Sequence, residues 1–301
     1  MIGRPTPRLI RWALLFAAGA IVAAAIYLGE ITLRLPRKPF VVWSWEVTAP
    51  ENAEVVAADG LHMRGWFLRP AQANGSTVIL LHGQTDNRTG MLGYAKLFMK
   101  NGYNALLPDL RAHGRSDGEL ATYGYLEADD VHRWVDWLVE RQPGGHVFGL
   151  GESMGAAILL QSLTVESRFC AVVAEAPYAT LREIAYDRLS QRYGKSTWPG
   201  RYALRPILEL SFIYERLRYG VDLGQVSPER AVAGARTPVL LIFGSHDDNT
   251  PPRHARRIQE ANPARVTLWE IPNAGHTGAW GSRPKEFERR VPDWFRSAPC
   301  F

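Results

Sequence analysis

Cysteine is nearly absent from this chain of 301 residues, with only Cys170 and Cys300. Two cysteines exclude a disulfide framework and a multi-thiolate zinc site, leaving at most one bridge, which nothing in the pattern requires. Cys170 lies in an apolar run and reads as a small core residue, whereas Cys300, next to the last residue, is expected to contribute little. None of the eight histidines forms a pair with zinc-site spacing, so neither a metal nor another cofactor is expected. The chain also lacks internal repeats and, outside one alanine-rich stretch, low-complexity tracts. The body carries no excess of charge. The net +5 resides in residues 1–40, where Arg4, Arg8, Arg11, Arg34, Arg37 and Lys38 stand against Glu30 alone, so nothing points to nucleic acid as a partner.

Long hydrophobic runs are equally scarce, and the one present is the 17-residue WALLFAAGAIVAAAIYL at positions 12–28. Its length is at the lower end of a bilayer span and long for the apolar region of a signal peptide. It is read as an uncleaved anchor. Ala18-Gly19-Ala20 and Ala23-Ala24-Ala25 keep a cleaved signal open as the alternative. Basic residues flank both ends; the N-terminus is placed inside and the body on the periplasmic or extracellular side. The expected organisation is a basic flank (1–11), a transmembrane or signal-anchor helix (12–28), a linker (29–49) and a catalytic-size domain (50–298).

Within that domain, AEVVAADGLHMRGWFLRP reads as a hairpin turning at Asp59-Gly60. Strand and helix then alternate: STVILLHG, YNALLPDL, HVFGLG and CAVVAEAP read as strands, separated by segments of helical periodicity. This pattern predicts βαβ units, hence a mostly parallel sheet with helices on both faces. Residues 178–235 interrupt the alternation with Tyr186, Tyr193, Trp198, Tyr202, Phe212, Tyr214 and Tyr219, and are read as a lid-like insertion. Two further strands, TPVLLIFG and VTLWEI, and a terminal helix complete the chain.

The stretch HVFGLGESMGAAILL carries Gly-x-Ser-x-Gly with Ser153 at its centre. Chance alone produces such a match on the order of 0.1 times in a chain like this, so the motif needs its context of buried strand before and helix after. Both are present. Serine is a weak nucleophile without a base, and the base needs an acid to orient it. His276, in a glycine-flanked loop after the last strand, is the preferred base; His113 and His246 also follow strands and stay as rivals, while His82 is assigned to shaping a loop. Asp247 and Asp248 both follow TPVLLIFG, and residue chemistry does not separate them. Asp109 is expected to brace its own loop.

LLHGQ, LLPDLRAHGRSDG, GLGESMGAA, LLIFGSHDDNTPP and NAGH, in that order, resemble the α/β-hydrolase superfamily over residues 50–298. The resemblance implies an α/β-hydrolase fold and a serine hydrolase without cofactor or metal. It implies the chain order Ser153, Asp247, His276, preferring Asp247 because Gly244 and Pro251 complete the family spacing. It also implies an oxyanion hole at the backbone N–H groups of Gln84 and Met154. Membrane-anchored lysophospholipase-like and serine-peptidase-like hydrolases are the nearest in appearance, and Ala156 departs from a glycine found in many relatives. The expected substrate is a small acyl ester, lipid-like esters included. A peptidase or amidase on the same residues and a catalytically silent tethered module are the alternatives.

Overall fold

A computed structural model describes residues 6–41, 49–192 and 204–300. Arg4 of the basic flank and Tyr193, Trp198 and Tyr202 of the insertion lie outside the described residues. The chain opens with helix α1 (Pro7–Leu33), whose start is set by Thr6: its hydroxyl accepts the Leu9 N–H, and Pro7 occupies the first turn. Helix α1 is longer than the apolar run, so residues 29–33, expected as linker, are helical. The cause is tertiary. Ala25, Gly29 and Leu33 lie four residues apart on one stripe and are buried against the body, which carries the helix past residue 28. Beyond Arg8 and Arg11 its N-terminal half is apolar and bare, with Phe16 81% exposed, and the helix is long and apolar enough to cross a membrane.

Eight strands follow: β1 (Glu51–Val56), β2 (His62–Leu68), β3 (Thr77–Leu81), β4 (Asn104–Pro108), β5 (Val147–Glu152), β6 (Phe169–Glu175), β7 (Val239–Gly244) and β8 (Val266–Ile271). They form one sheet in the order β1-β2-β4-β3-β5-β6-β7-β8. The hairpin at Asp59-Gly60 makes β1 and β2 antiparallel, with Val56 opposite His62, and β2 also runs against β4; every later pair is parallel. Gly60, at φ +81°, supplies the left-handed residue that this turn needs.

Helices α2 (Leu92–Lys100) and α10 (Pro284–Ser297) cover one face; α3 (Glu127–Arg141), α4 (Met154–Ser162), α7 (Pro228–Ala233) and α8 (Arg253–Ala261) cover the other. The strand period of two divides the core. In β3, Ile79 and Leu81 join the cluster with Trp134 and Ile158, while Val78 and Leu80 join Phe98, Phe287 and Phe295. Helix α4 is buried along its whole length, which fits its uninterrupted run of small and aliphatic side chains. Helices α5 (Leu181–Arg192) and α6 (Arg205–Tyr219) occupy the insertion, and α9 (Ala279–Ser282) precedes α10. The boundary expected at residue 235 falls late, because α7 packs on α4 and α8 within the layer that covers the sheet. The expectation for the cysteines is corrected: Cys300 is bonded to Cys170, tying the chain end to β6. Residues 130 apart in sequence become neighbours because α10 lies back across the sheet, which no local pattern around either cysteine records.

Candidate active site

Strand β5 delivers the chain to Ser153 at the centre of the sheet, and the turn there is strained: Ser153 has φ +50°, in the left-handed region. The flanking glycines are required by crowding. A Cβ on Gly155 would lie 2.3 Å from the Leu81 carbonyl oxygen, and one on Gly151 would lie 2.6 Å from the Gly155 backbone. The Ser153 N–H is held by the Glu175 carbonyl at 2.8 Å, so the side chain is left to project from the tip.

The loop after β8 brings His276 over that tip. Its Nε2 accepts from the Ser153 hydroxyl at 2.9 Å, and its Nδ1–H donates to Asp247 Oδ2 at 2.8 Å. The buried Asp247 carboxylate is itself fixed, since its Oδ1 accepts the N–H groups of Asn249 at 2.8 Å and Thr250 at 2.7 Å. Asp248 faces outward, with its backbone carbonyl bonded by the Gln191 side chain. These contacts fix the imidazole tautomer: Asp247 can only accept, so the proton sits on Nδ1 and the Nε2 lone pair faces the serine.

The other histidines have different surroundings. His82 is fully buried; its Nδ1–H donates to Gly83 O at 2.8 Å and its Nε2 accepts the Leu110 N–H at 3.1 Å, joining the loops after β3 and β4. Burial, with the adjacent His113, pushes its pKa down to about 4 and keeps it neutral. His113 bonds Arg111 O and accepts from the Thr85 N–H, and burial lowers its pKa as well. His246 is exposed. His254, which sequence reasoning passed over, is buried and donates to Asp187 at 2.8 Å while accepting the Ala179 N–H, thereby fixing the start of α5. Asp109 accepts two bonds from the Arg88 guanidinium and one from the Arg115 N–H, the loop-bracing role expected of it.

The loop after β3 passes beside the serine, and a Cβ on Gly83 would lie 3.7 Å from Ser153 Cβ. Among the described residues, neither the Gln84 nor the Met154 backbone N–H donates a hydrogen bond. Met154 is the first residue of α4, where a free N–H belongs to the helix end. Two free donors therefore flank Ser153. Both residues line a cavity of about 660 Å³ that includes Ser153.

Behind the serine lies an acidic pair that the sequence reading did not single out. The Tyr94 hydroxyl bonds Glu152 at 2.6 Å and Glu175 at 3.1 Å, and Glu175 also accepts the Ala279 N–H at 2.9 Å. Burial foremost, then the charge of Glu152, pushes the Glu175 pKa up to about 7. At the opposite end of β5, His146 sits close to Cys170 and Cys300, but the sulfurs are bridged and offer no thiolate to a metal.

A sequence model described as the alpha/beta hydrolase family matches residues 78–290, most of the chain, and includes the turn at Ser153 and the loops carrying Asp247 and His276. The chain belongs to the alpha/beta hydrolase family. Within it, this hydrolase is 33% identical to the polyketide transferase ATR5 of Stachybotrys chlorohalonatus over 281 residues, covering 76% of this chain and 91% of that protein. It is 27% identical over 301 residues to the uncharacterized protein YqkD of Bacillus subtilis, covering 93% and 96% of the two chains. Among solved structures it is similar to the Pyrococcus furiosus esterase Pf2001, with a TM-score of 0.71 at 25% identity over 88% of this chain and 99% of the esterase.

Proposed function

We propose that this hydrolase cleaves carboxylic esters, with Ser153 as nucleophile, His276 as general base and acid, and Asp247 as the group that orients and stabilises the imidazolium. The observation that carries the reading is the continuous hydrogen-bonded chain from Ser153 through His276 to Asp247, opening on a cavity with two free backbone N–H groups. Similarity to an esterase supports the substrate class.

In the first half-reaction the Ser153 oxygen bonds to the acyl carbon as its proton passes to His276 Nε2. The bond to the leaving alkoxide then breaks, and that oxygen takes the proton from Nε2, releasing an alcohol. Water repeats the cycle on the acyl-enzyme: it gives a proton to Nε2, its oxygen bonds to the acyl carbon, and Ser153 leaves with the proton as the acid is released. The N–H groups of Gln84 and Met154 face the charge that develops on the carbonyl oxygen, an effect worth about 3–4 kcal/mol per donor in such sites. Because these donors are held by the loop and by α4, they need no reorganisation during the reaction.

We place α1 in the membrane as a single-pass anchor, with the body on the periplasmic or extracellular side. The Cys170–Cys300 bond supports that side, since disulfides persist in oxidising compartments. The deciding experiment is fluorophosphonate labelling of the full chain beside the Ser153→Ala variant, followed by rates on matched esters and amides. Expected are labelling confined to Ser153 and a kcat on esters lowered about 10⁴–10⁶-fold by Ser153→Ala. Labelling that survives in Ser153→Ala would reject the nucleophile, and faster turnover of amides than of esters would move the protein to the peptidase and amidase class.

A further inference from the structure

The cavity beside Ser153 is walled in part by the same helix that is read as the membrane anchor. Leu28, Ile31 and Thr32 of α1 line it together with side chains of α5 and α6. Leu28 is the last residue of the 12–28 apolar run, so membrane-facing surface and cavity wall belong to one continuous helix. The contact is built closely. A Cβ on Gly29 would lie 3.0 Å from the Tyr214 ring, so glycine lets α1 approach α6, and the hydroxyls of Tyr214 and Tyr219 both donate to Glu30. Helix α1 also reaches the loop after β3: the Tyr123 hydroxyl donates to the Thr32 carbonyl at 2.7 Å and accepts from the Gln84 side chain at 3.2 Å.

Arg188 of α5 is the one charged residue among the described residues that line this cavity. Among the described residues it makes no hydrogen bond or ion pair. The carboxylates whose fields it feels are already engaged, Asp247 with His276 and Asp187 with Arg253 and His254. A guanidinium in a largely apolar cavity, with no counter-charge of its own, calls for an anion from the ligand, and its planar fork suits phosphate or carboxylate. The volume, about 660 Å³, lies in the range of sites for single drug-sized ligands, which favours one hydrocarbon chain over two.

We propose that the substrate is an anionic, single-chain acyl ester taken from the membrane surface, its chain lying against Leu28 and Ile31 of α1 and its anionic group held by Arg188. The proposal rests on the serine-hydrolase reading above and names the substrate class for that site. It makes α1 a part of the binding site as well as an anchor.

The test uses the full chain in phosphatidylcholine nanodiscs. The kcat/KM for 1-dodecanoylglycerol 3-phosphate is compared with that for neutral 1-dodecanoylglycerol, and the 4-nitrophenyl hemiester of dodecanedioic acid with neutral 4-nitrophenyl dodecanoate. The first pair places the anion on the leaving alcohol, the second on the acyl chain, so the preferred source follows from whichever pair shows the larger ratio. At least one anionic-to-neutral ratio is expected to exceed ten, to collapse toward one in Arg188→Gln and to be largely kept in Arg188→Lys. Ile31→Trp is expected to lower turnover of twelve-carbon esters at least tenfold more than of two-carbon esters. Ratios near one in the unmodified chain, a ratio unmoved by Arg188→Gln, or a flat chain-length response to Ile31→Trp would each overturn the proposal.

Calorimetric titration with octyl phosphate separates this outcome from failure of the serine reading, because it needs no turnover. Binding at least tenfold weaker in Arg188→Gln sustains the anion site even if Ser153 takes no fluorophosphonate. Equal binding removes the site even if Ser153 is labelled.

Discussion

At Asp247 the chemistry depends on the direction of one hydrogen bond. The carboxylate accepts from His276 Nδ1–H and leaves the Nε2 lone pair toward Ser153. An amide in its place would present either a donor or a weaker acceptor and would favour the other tautomer. Asp247→Asn is therefore expected to lower kcat by about 10⁴-fold, with the fold retained as judged by circular dichroism. Asp248→Asn should stay within a few-fold of the unmodified enzyme, since that side chain faces outward. Equal losses in the two variants, measured on the same ester, would reject the assignment. Residue type alone left these neighbours unresolved, and only the family spacing of Gly244 and Pro251 favoured Asp247; in the fold they are separated because the Asn249 and Thr250 N–H groups fold back onto Asp247. Ser153 was far more legible, because the strain at φ +50° and the crowding at Gly151 and Gly155 leave a direct trace in the sequence as Gly-x-Ser-x-Gly. The carboxyls of Glu152 and Glu175 left no such trace, since their environment is assembled from β5, β6 and α2 together.

At the scale of elements, the contact between α1 and α6 carries a titrating group. Glu215 of α6 is buried, and both carboxyl oxygens lack a hydrogen-bond partner among the described residues. Burial pushes its pKa up to about 8 from an ordinary 4.5. Below pH 4.5 the group is protonated both folded and unfolded and has no effect on the pH dependence. As pH rises from 4.5 to 8 the unfolded chain releases the proton while the folded chain keeps it, so stability falls across that window and levels off above it. Glu215→Gln should thus raise the Tm of the full chain at pH 8.5 by several degrees and change it little at pH 4. An equal shift at both pH values, by scanning calorimetry, would show that the effect is packing and not ionisation. Helix α6 of the insertion was poorly legible for a related reason: its buried stripe of Leu208, Ser211, Phe212 and Glu215 is half polar, while Ile213 and Leu217 stay exposed, so hydrophobicity does not track burial along it. The inner strands were legible because burial on both faces makes each a short continuous apolar run, and α3 because it buries one face, with Val131, Trp134, Val135 and Leu138 at helical spacing.

For the molecule as a whole, the link between Cys170 and Cys300 closes a loop across 130 positions, and a cross-link of that span is expected to stabilise by about 2–5 kcal/mol. Cys300→Ser should lower the Tm by several degrees without changing kcat/KM on a short ester, because the bond lies away from the cavity at Ser153. If reduction and Cys300→Ser both leave the Tm unmoved, the bridge has no stabilising role. By itself, the sequence determined the parallel α/β architecture, the turn at Ser153 and an apolar helix near the N-terminus. Each is written locally, as a burial period, a steric demand for glycine, or a run long enough to span a bilayer. The tertiary structure alone decided that the cysteines meet and that α1 closes one wall of the cavity. Those facts depend on side chains distant along the chain, 130 positions apart in the case of Cys170 and Cys300. Their proximity follows from how the sheet is stacked and where the loops return, and the residues next to each of them carry no record of it.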